Sequence, residues 1–524
     1  SAPAGSRNNV VIRGFEGFDR FLVNGIPDTF ISGDGTFINV ERLEVLRGPA
    51  SVLFGEGTLS GTVNVVTKQP LREPFYEVTA GAGSFSDYRG ALDFSGPLNE
   101  SETVLYRLNA GYRNFGSFLD FDNGYELSVA PNVAFNFGPN TDLTIEGDVN
   151  VLSRNGQVPE GQPAEGTVLP NPNGEISRSF NAGGPQEDNL TVNGRVGYRL
   201  EHRFNENLQL RNAFLYTFFD DYDSTGIFNG SLDPDLRTHN RRFFDGSQFY
   251  DSYYLDTNLL GEFSTGSIDH QVLFGFSLNR DVTDLDFEFG DATPVDIFDP
   301  VFDQTVNLTG QPTLNSITTR NTLGIYLQDQ ITFAENLKLL IGGRFDSFEE
   351  RSTDLLVDEE TRQSDTAFSP RVGIVYQPIP AISLYANYAR SFSPTIGTSA
   401  SGDAFSPERG TQYEIGVKAD INAQLSATLA FYDLTRSNVT TDDPDNPFFQ
   451  VQTGEQRSQG IELDIGGEIL PGWNIFAGYA YTDARVTEDN SIPEGKRMSN
   501  APEHAFKIWK TYELQQGDLE GIGF

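Results

Sequence analysis

Residues 104–113 read VLYRLNAGYR. In an extended chain successive side chains point to opposite sides, so Val104, Tyr106, Leu108, Ala110 and Tyr112 share one face. Arg107, Asn109, Gly111 and Arg113 share the other. Leu337, Leu339, Ile341, Gly343 and Phe345 repeat the pattern against Lys338, Gly342, Arg344 and Asp346, and Leu425, Ala427, Leu429 and Phe431 repeat it against Ser426, Thr428 and Tyr432. A period of two with one apolar and one polar face specifies β-strands.

The connections decide what kind of β-protein this is. Tight turns are expected at Gly96-Pro97-Leu98-Asn99, Gly138-Pro139-Asn140-Thr141, Asn205-Glu206-Asn207, Ser264-Thr265-Gly266, Glu335-Asn336, Pro378-Ile379-Pro380, Asn422-Ala423 and Pro471-Gly472. Between them lie polar stretches at 153–188, 220–247, 282–317, 350–366, 393–410, 438–456 and 484–502, read as long loops. Short turns at one end and long loops at the other describe an antiparallel transmembrane β-barrel, here with about 17 or 18 strands. A propeller or solenoid would repeat with a period of about 40–50 residues, which the sequence lacks. The aromatic pairs Phe218-Phe219, Tyr253-Tyr254 and Tyr385 with Tyr388 are read as interface girdles.

Composition agrees. The 524 residues include 53 Gly, 42 Phe and 20 Tyr but 1 Met and no Cys, which suits a large all-β chain with aromatic strands and glycine turns. No run approaches the roughly 20 apolar residues of a membrane helix, a test that does not detect barrels. The formal charge of −38 argues against a nucleic-acid partner.

Residues 1–72 follow another grammar: short β runs at Asn9 to Ile12, Phe21 to Val23 and Thr62 to Thr67 among glycines and charges. A small domain ahead of a wide barrel has a place inside it, and barrels of about 22 strands hold such a plug. The expected division is a partial, mixed α/β plug over 1–72 and an incomplete outer-membrane barrel over 73–524.

Particular segments carry a family likeness. They are Val11-Ile12-Arg13-Gly14-Phe15, Leu22-Val23-Asn24-Gly25, Glu41 to Pro49 (ERLEVLRGP) and Val52-Leu53-Phe54-Gly55 in the first domain. In the barrel they are Pro159-Glu160 through Gly174, Gln412 to Lys418 (QYEIGVK), Arg457 to Leu463 (RSQGIEL) and Asn500 to His504. In these the chain resembles the TonB-dependent siderophore receptors, of the ferrichrome and ferric-hydroxamate type, over essentially its whole length. The resemblance implies a monomeric outer-membrane transporter of a Gram-negative-type bacterium. It would bind a ferric siderophore without an intrinsic cofactor and be energised by TonB and its inner-membrane complex. It also implies an internal piece of a longer receptor, without the TonB box, the first part of the plug and the closing strands.

By strand parity Glu414 shares a face with Lys418 and Asp420, and Glu462 with Asp464, both turned to the lumen. The resemblance sets plug residues Arg13 and Arg47 against these two glutamates as a charge lock. It also puts the ligand against the plug's apical loops, here Glu16 to Arg20 and Asp28 to Phe37, which makes Phe18, Phe30 and Phe37 candidate contacts. The loop 153–188 corresponds to one that supplies aromatics above the site, yet contains only Phe180; Phe243, Phe244, Phe249 and Tyr250 beyond it are substitutes, of which Phe244 and Tyr250 head the list.

The four histidines, His202, His239, His270 and His504, lack metal-ligand spacing, and the sequence contains neither a Gly-Lys-Ser/Thr phosphate loop nor a strand-to-helix nucleophile elbow. The expectation is no protein-held metal and no enzyme. Rival readings are a receptor for cobalamin, another metal chelate or a glycan, a passive porin, and a soluble β-rich binding protein.

Overall fold

The computed structural model describes residues 10–17, 21–28, 37–57, 59–156, 161–185, 189–303, 305–308 and 310–524. Of the residues singled out above, Asn9, Phe18, Arg20, Phe30, Pro159 and Glu160 lie outside them, as do 29–36 of the second apical loop.

Eighteen long strands, from Phe75–Ala82 to His504–Tyr512, pair antiparallel with their sequence neighbours and wrap into a barrel. The sheet order sets His504–Tyr512 beside Phe75–Ala82. Strand tilt and twist curl such a sheet into a cylinder.

Alternation places the chemistry as the sequence indicates. Along Asn123–Asn136, Tyr125, Leu127 and Val129 are exposed on the outer surface, whereas Glu126, Ser128 and Asn132 are buried on the inner one. Arg107 and Asn109 are likewise buried inside while Tyr112 is exposed. The outer wall offers apolar side chains to lipid and the inner wall offers polar ones to the plug, the reverse of a soluble core.

All eight expected tight turns join consecutive barrel strands. The Asn422 side chain accepts from the amides of Gln424 and Leu425, each at 2.8 Å, and Asn99 accepts from Thr103 and Val104, each at 3.0 Å. These asparagines supply the acceptor that the reversing chain lacks. Exposed Phe137, Phe204, Phe263, Phe333 and Tyr376 stand close to these turns.

Two expectations change. The stretches 220–247, 282–317, 350–366 and 438–456 are largely strand, because Leu208–Leu232, Thr238–Thr265, Ile268–Asp296, Leu337–Asp354, Glu359–Ile379, Leu425–Asp442 and Gln450–Leu470 run on as β-ribbons. Continued ladders satisfy backbone groups that a loop would leave to water. The adjacent aromatic pairs do not both join a girdle: Tyr253 is exposed, but Tyr254 and Phe219 are buried inward. The pleat sends neighbours to opposite faces.

The plug holds β1 (Val10–Ile12), β2 (Phe15–Gly17), β3 (Phe21–Val23), β4 (Ile26–Asp28), β5 (Val40–Arg47), α1 (Ser51–Phe54) and β6 (Gly61–Thr67). A four-stranded sheet runs β4-β3-β6-β5, with β3 and β6 parallel. Asn24 and Gly25 at φ 52° and 83° make the two-residue turn between β3 and β4, as their types favour. Arg13 and Gly14 at φ 54° and 82° make the equivalent turn between β1 and β2.

Candidate functional site

The tip of the β1–β2 hairpin meets the barrel wall. Arg13, a non-glycine residue in the left-handed region, carries a backbone cost of about 1–3 kcal/mol that the surroundings must offset. Its side chain shows how. Nε and Nη2 donate to the two oxygens of Glu462 at 3.2 and 2.7 Å, while Nη1 lies 2.8 Å from Glu414 Oε2 and donates to Gln412 Oε1 at 2.7 Å. The Tyr432 ring lies beneath the guanidinium, 4.2 Å from centroid to Cζ. Phe15 anchors the hairpin against Tyr432 and Leu434.

Arg47, at the end of β5, adds the second cation. Its Nη1 reaches Glu462 Oε2 at 3.3 Å and Asp464 Oδ2 at 2.6 Å, and its Nη2 reaches Asp464 Oδ1 at 3.1 Å. The hydrogen bond to Asp464 holds the Arg47 guanidinium above its ordinary pKa. Burial pulls Arg13 down, but Glu462 and Glu414 outweigh it, so that Arg13 too is held above its ordinary value. The side chain of Arg13 is 2% exposed and that of Arg47 38%, so Arg13 bears the low-dielectric half of the lock.

The structure thus brings Arg13, Arg47, Glu414 and Glu462 together. It adds residues that sequence reasoning missed: Gln412, Asp464, Tyr385, whose hydroxyl donates to Glu414 Oε1 at 2.8 Å, and Tyr432. Parity could have suggested Gln412 and Asp464, two residues from the glutamates on the same face. Register explains the rest, since Tyr432 pairs with Glu414 on one side and Gly460 on the other. A Cβ on Gly460 would stand 2.5 Å from the Tyr432 hydroxyl, and one on Gly416 would stand 2.4 Å from the Tyr385 ring. The glycines of QYEIGVK and RSQGIEL make room for the two tyrosines.

Gly14 sits flush with the wall, where an added Cβ would lie 2.5 Å from the Ala484 Cβ. Gly14→Ala combines that clash with a disfavoured φ, so it should weaken the β1–β2 hairpin by about 1–3 kcal/mol from backbone alone. Amide exchange across Val10–Gly17 measures this. Protection equal to wild type would contradict it.

A second anchor of opposite polarity escaped the sequence reading. Plug Asp28 pairs with barrel Arg195, which also reaches Asp148 at 3.1 Å. Beside it Glu146 takes Arg199 at 3.1 Å, Asn24 at 3.1 Å and Thr67 at 3.3 Å. Farther round, Arg320 bridges Glu56 at 3.5 Å and Glu350 at 2.6 Å, and α1 rests against Phe392, whose amide donates to Ser51 Oγ at 3.3 Å.

The candidate ligand contacts divide. Phe244 and Tyr250 share the buried inner face of Thr238–Thr265, where Phe244 packs on Phe287 at 6.2 Å and the Tyr250 hydroxyl donates to Asp281 at 2.8 Å. Phe37 is exposed and borders another space, a crevice of about 570 Å³, solvent included, with Asn39, Asn150 and Arg195. Phe180 is the one aromatic of its loop. It is buried with Ile176, Ala182, Val295 and Ile297 in a small core belonging to the loop itself.

No group of three or more His, Cys, Asp or Glu suited to a metal ion occurs among the described residues.

A family model described as TonB dependent receptor-like, beta-barrel, matches residues 130–524, and one described as TonB-dependent Receptor Plug Domain matches residues 1–62. The metal-pseudopaline receptor of Pseudomonas aeruginosa is 37% identical over 498 residues, which cover 92% of this chain and 69% of that protein. The ferrichrome outer membrane transporter and phage receptor of Escherichia coli is 28% identical over 99% of this chain and 72% of that one. Among solved structures, the ferric-catecholate import receptor of Escherichia coli has a TM-score of 0.87 at 22% identity, covering 98% of this chain and 80% of that one. The ferripyoverdine receptor of Pseudomonas aeruginosa, bound to ferripyoverdine, has a TM-score of 0.83 at 26% identity, covering 98% and 70%.

Proposed function

The chain belongs to the TonB-dependent receptors of the outer membrane, and from that premise we propose that it imports a metal ion already wrapped in a chelator, a ferric siderophore, into the periplasm. The observation that carries this reading is the charged lock between the β1–β2 hairpin and the wall, Arg13 on Glu414 and Glu462. A plug tied by opposite charges obstructs the lumen at rest and is released as a unit when pulled. The pull would come from TonB and its inner-membrane complex. Ligand must favour one plug state over another for that pull to be switched.

For the cargo, a ferric hydroxamate follows the likeness to the ferrichrome transporter, with Phe244, Tyr250 and Phe37 as candidate contacts. A second reading, a metal chelate of the pseudopaline kind, is favoured by 37% identity against 28%. It is also favoured by the burial of Phe180, the one aromatic of its loop, in a small core where it is not free to touch a ligand. Calorimetric titration of the full-length receptor with ferrichrome, ferrioxamine B and metal–pseudopaline complexes separates the two. One chelate should bind with Kd of about 1 μM or tighter, on the order of 8 kcal/mol. Binding of cobalamin or a glycan, with none of the chelates bound, overturns the proposal.

A further inference from the structure

The lock does not balance by itself. Two guanidinium groups, Arg13 and Arg47, face three carboxylates, Glu414, Glu462 and Asp464. When the plug withdraws, both cations leave together and the wall keeps three negative charges in a confined lumen. A stranded charge of that kind is costly, and the cost opposes every transport cycle.

One barrel residue is placed to meet it. In Glu359–Ile379, Ala367 and Ser369 are buried inward while Phe368, Val372 and Ile374 are exposed outward, so parity turns Arg371 to the lumen. Register sets Arg371 opposite Ala389, and Ala389 opposite Gln412, the residue that already bridges Arg13 and Glu414. The residue between them is only a methyl, and two strand spacings are about 10 Å, within the combined reach of arginine and glutamate side chains. Among the described residues no side-chain hydrogen bond or ion pair involves Arg371, and Glu414 is the charged group that acts on it.

We propose that Arg371 is the replacement counter-ion of the lock: as Arg13 leaves with the plug, Arg371 swings over Ala389 onto Glu414, which lowers the cost of opening. Arg371 is a positioning residue that touches no cargo. Resting on the reading of the lock as one that opens, the inference concerns how easily it does so. Lys418 is the competing cation, on the same inner face with its Nζ 5.9 Å from the Tyr385 ring.

Amide exchange of Val10–Gly17 in the purified full-length receptor tests this without any ligand. In Arg371→Gln the hairpin should open less often and exchange about tenfold more slowly, with exchange in the barrel strands unchanged. Arg371→Lys should restore wild-type rates, and Lys418→Gln should leave them alone. In a Glu414→Gln background Arg371→Gln should have no further effect. Unchanged or faster exchange in Arg371→Gln, or the same slowing with Glu414 already neutral, overturns the proposal. If instead Glu414→Gln and Glu462→Gln fail to speed exchange at all, the lock is not the barrier and that reading falls first.

Discussion

Arg13→Gln loosens the plug by about 3–5 kcal/mol, the range for removing one partner of a buried ion pair. Two carboxylates would lose a shared cation, although Glu462 keeps one 3.3 Å contact to Arg47 and Glu414 keeps its hydrogen bond from Tyr385. The strain at φ 54° would then lack its compensation, because glutamine in the left-handed region gains no ion pair to hold it. Arg47→Gln is the internal control. Its side chain is 38% exposed and its main partner Asp464 33%, so solvent screens that pair and the loss should be about 1 kcal/mol or less. Denaturant midpoints for plug release, and bilayer conductance of the full-length receptor, measure both. Equal effects at the two positions would mean that burial does not set the strength of the lock. A double-mutant cycle of Arg13→Gln with Glu462→Gln should show coupling, since the two share one bidentate contact.

Arg195→Gln should cost a comparable amount, about 3–5 kcal/mol, at a different part of the wall. It removes a cation paired with Asp28, whose side chain is fully enclosed, and it leaves Asp148 near that same carboxylate. Two carboxylates that lose a shared cation repel each other more strongly. Asp28→Asn added to Arg195→Gln should recover part of the loss, because one of the two neighbouring carboxylate charges is then gone. Arg195 shares no partner with Arg13, so the two substitutions should add within about 0.5 kcal/mol. Strong coupling between them would show that the plug shifts as a rigid body when either side is released. No recovery in the double variant would mean that Asp28 is held by something other than its charge.

Much of this architecture was legible in the chain. Alternation at 104–112, 337–346 and 425–432 is a local property, fixed by the pleat of each strand, and it predicted which side chains face inward without knowing which strands are neighbours. The tight turns were legible for the same reason, since Gly, Pro and Asn act on their own backbone. The polar stretches were misread as loops because polarity reports exposure to water and not hydrogen bonding, and β-ribbons standing clear of the membrane are polar and paired at once. The packing of Phe180 was not legible, because an aromatic in a loop carries no local sign that it builds a small core with Val295 and Ile297.

The sequence by itself determined a cylinder with a polar lining, a small domain to fill it, and the side of each strand on which Glu414 and Glu462 stand. Only the tertiary structure decided which plug charge meets which wall charge. Arg13 and Glu462 are 449 residues apart and Arg195 and Asp28 are 167 apart, with each meeting set by the summed registers of many ladders and by the angle at which the plug sits. A period of two can give the face of a side chain; it contains no term for position around the barrel.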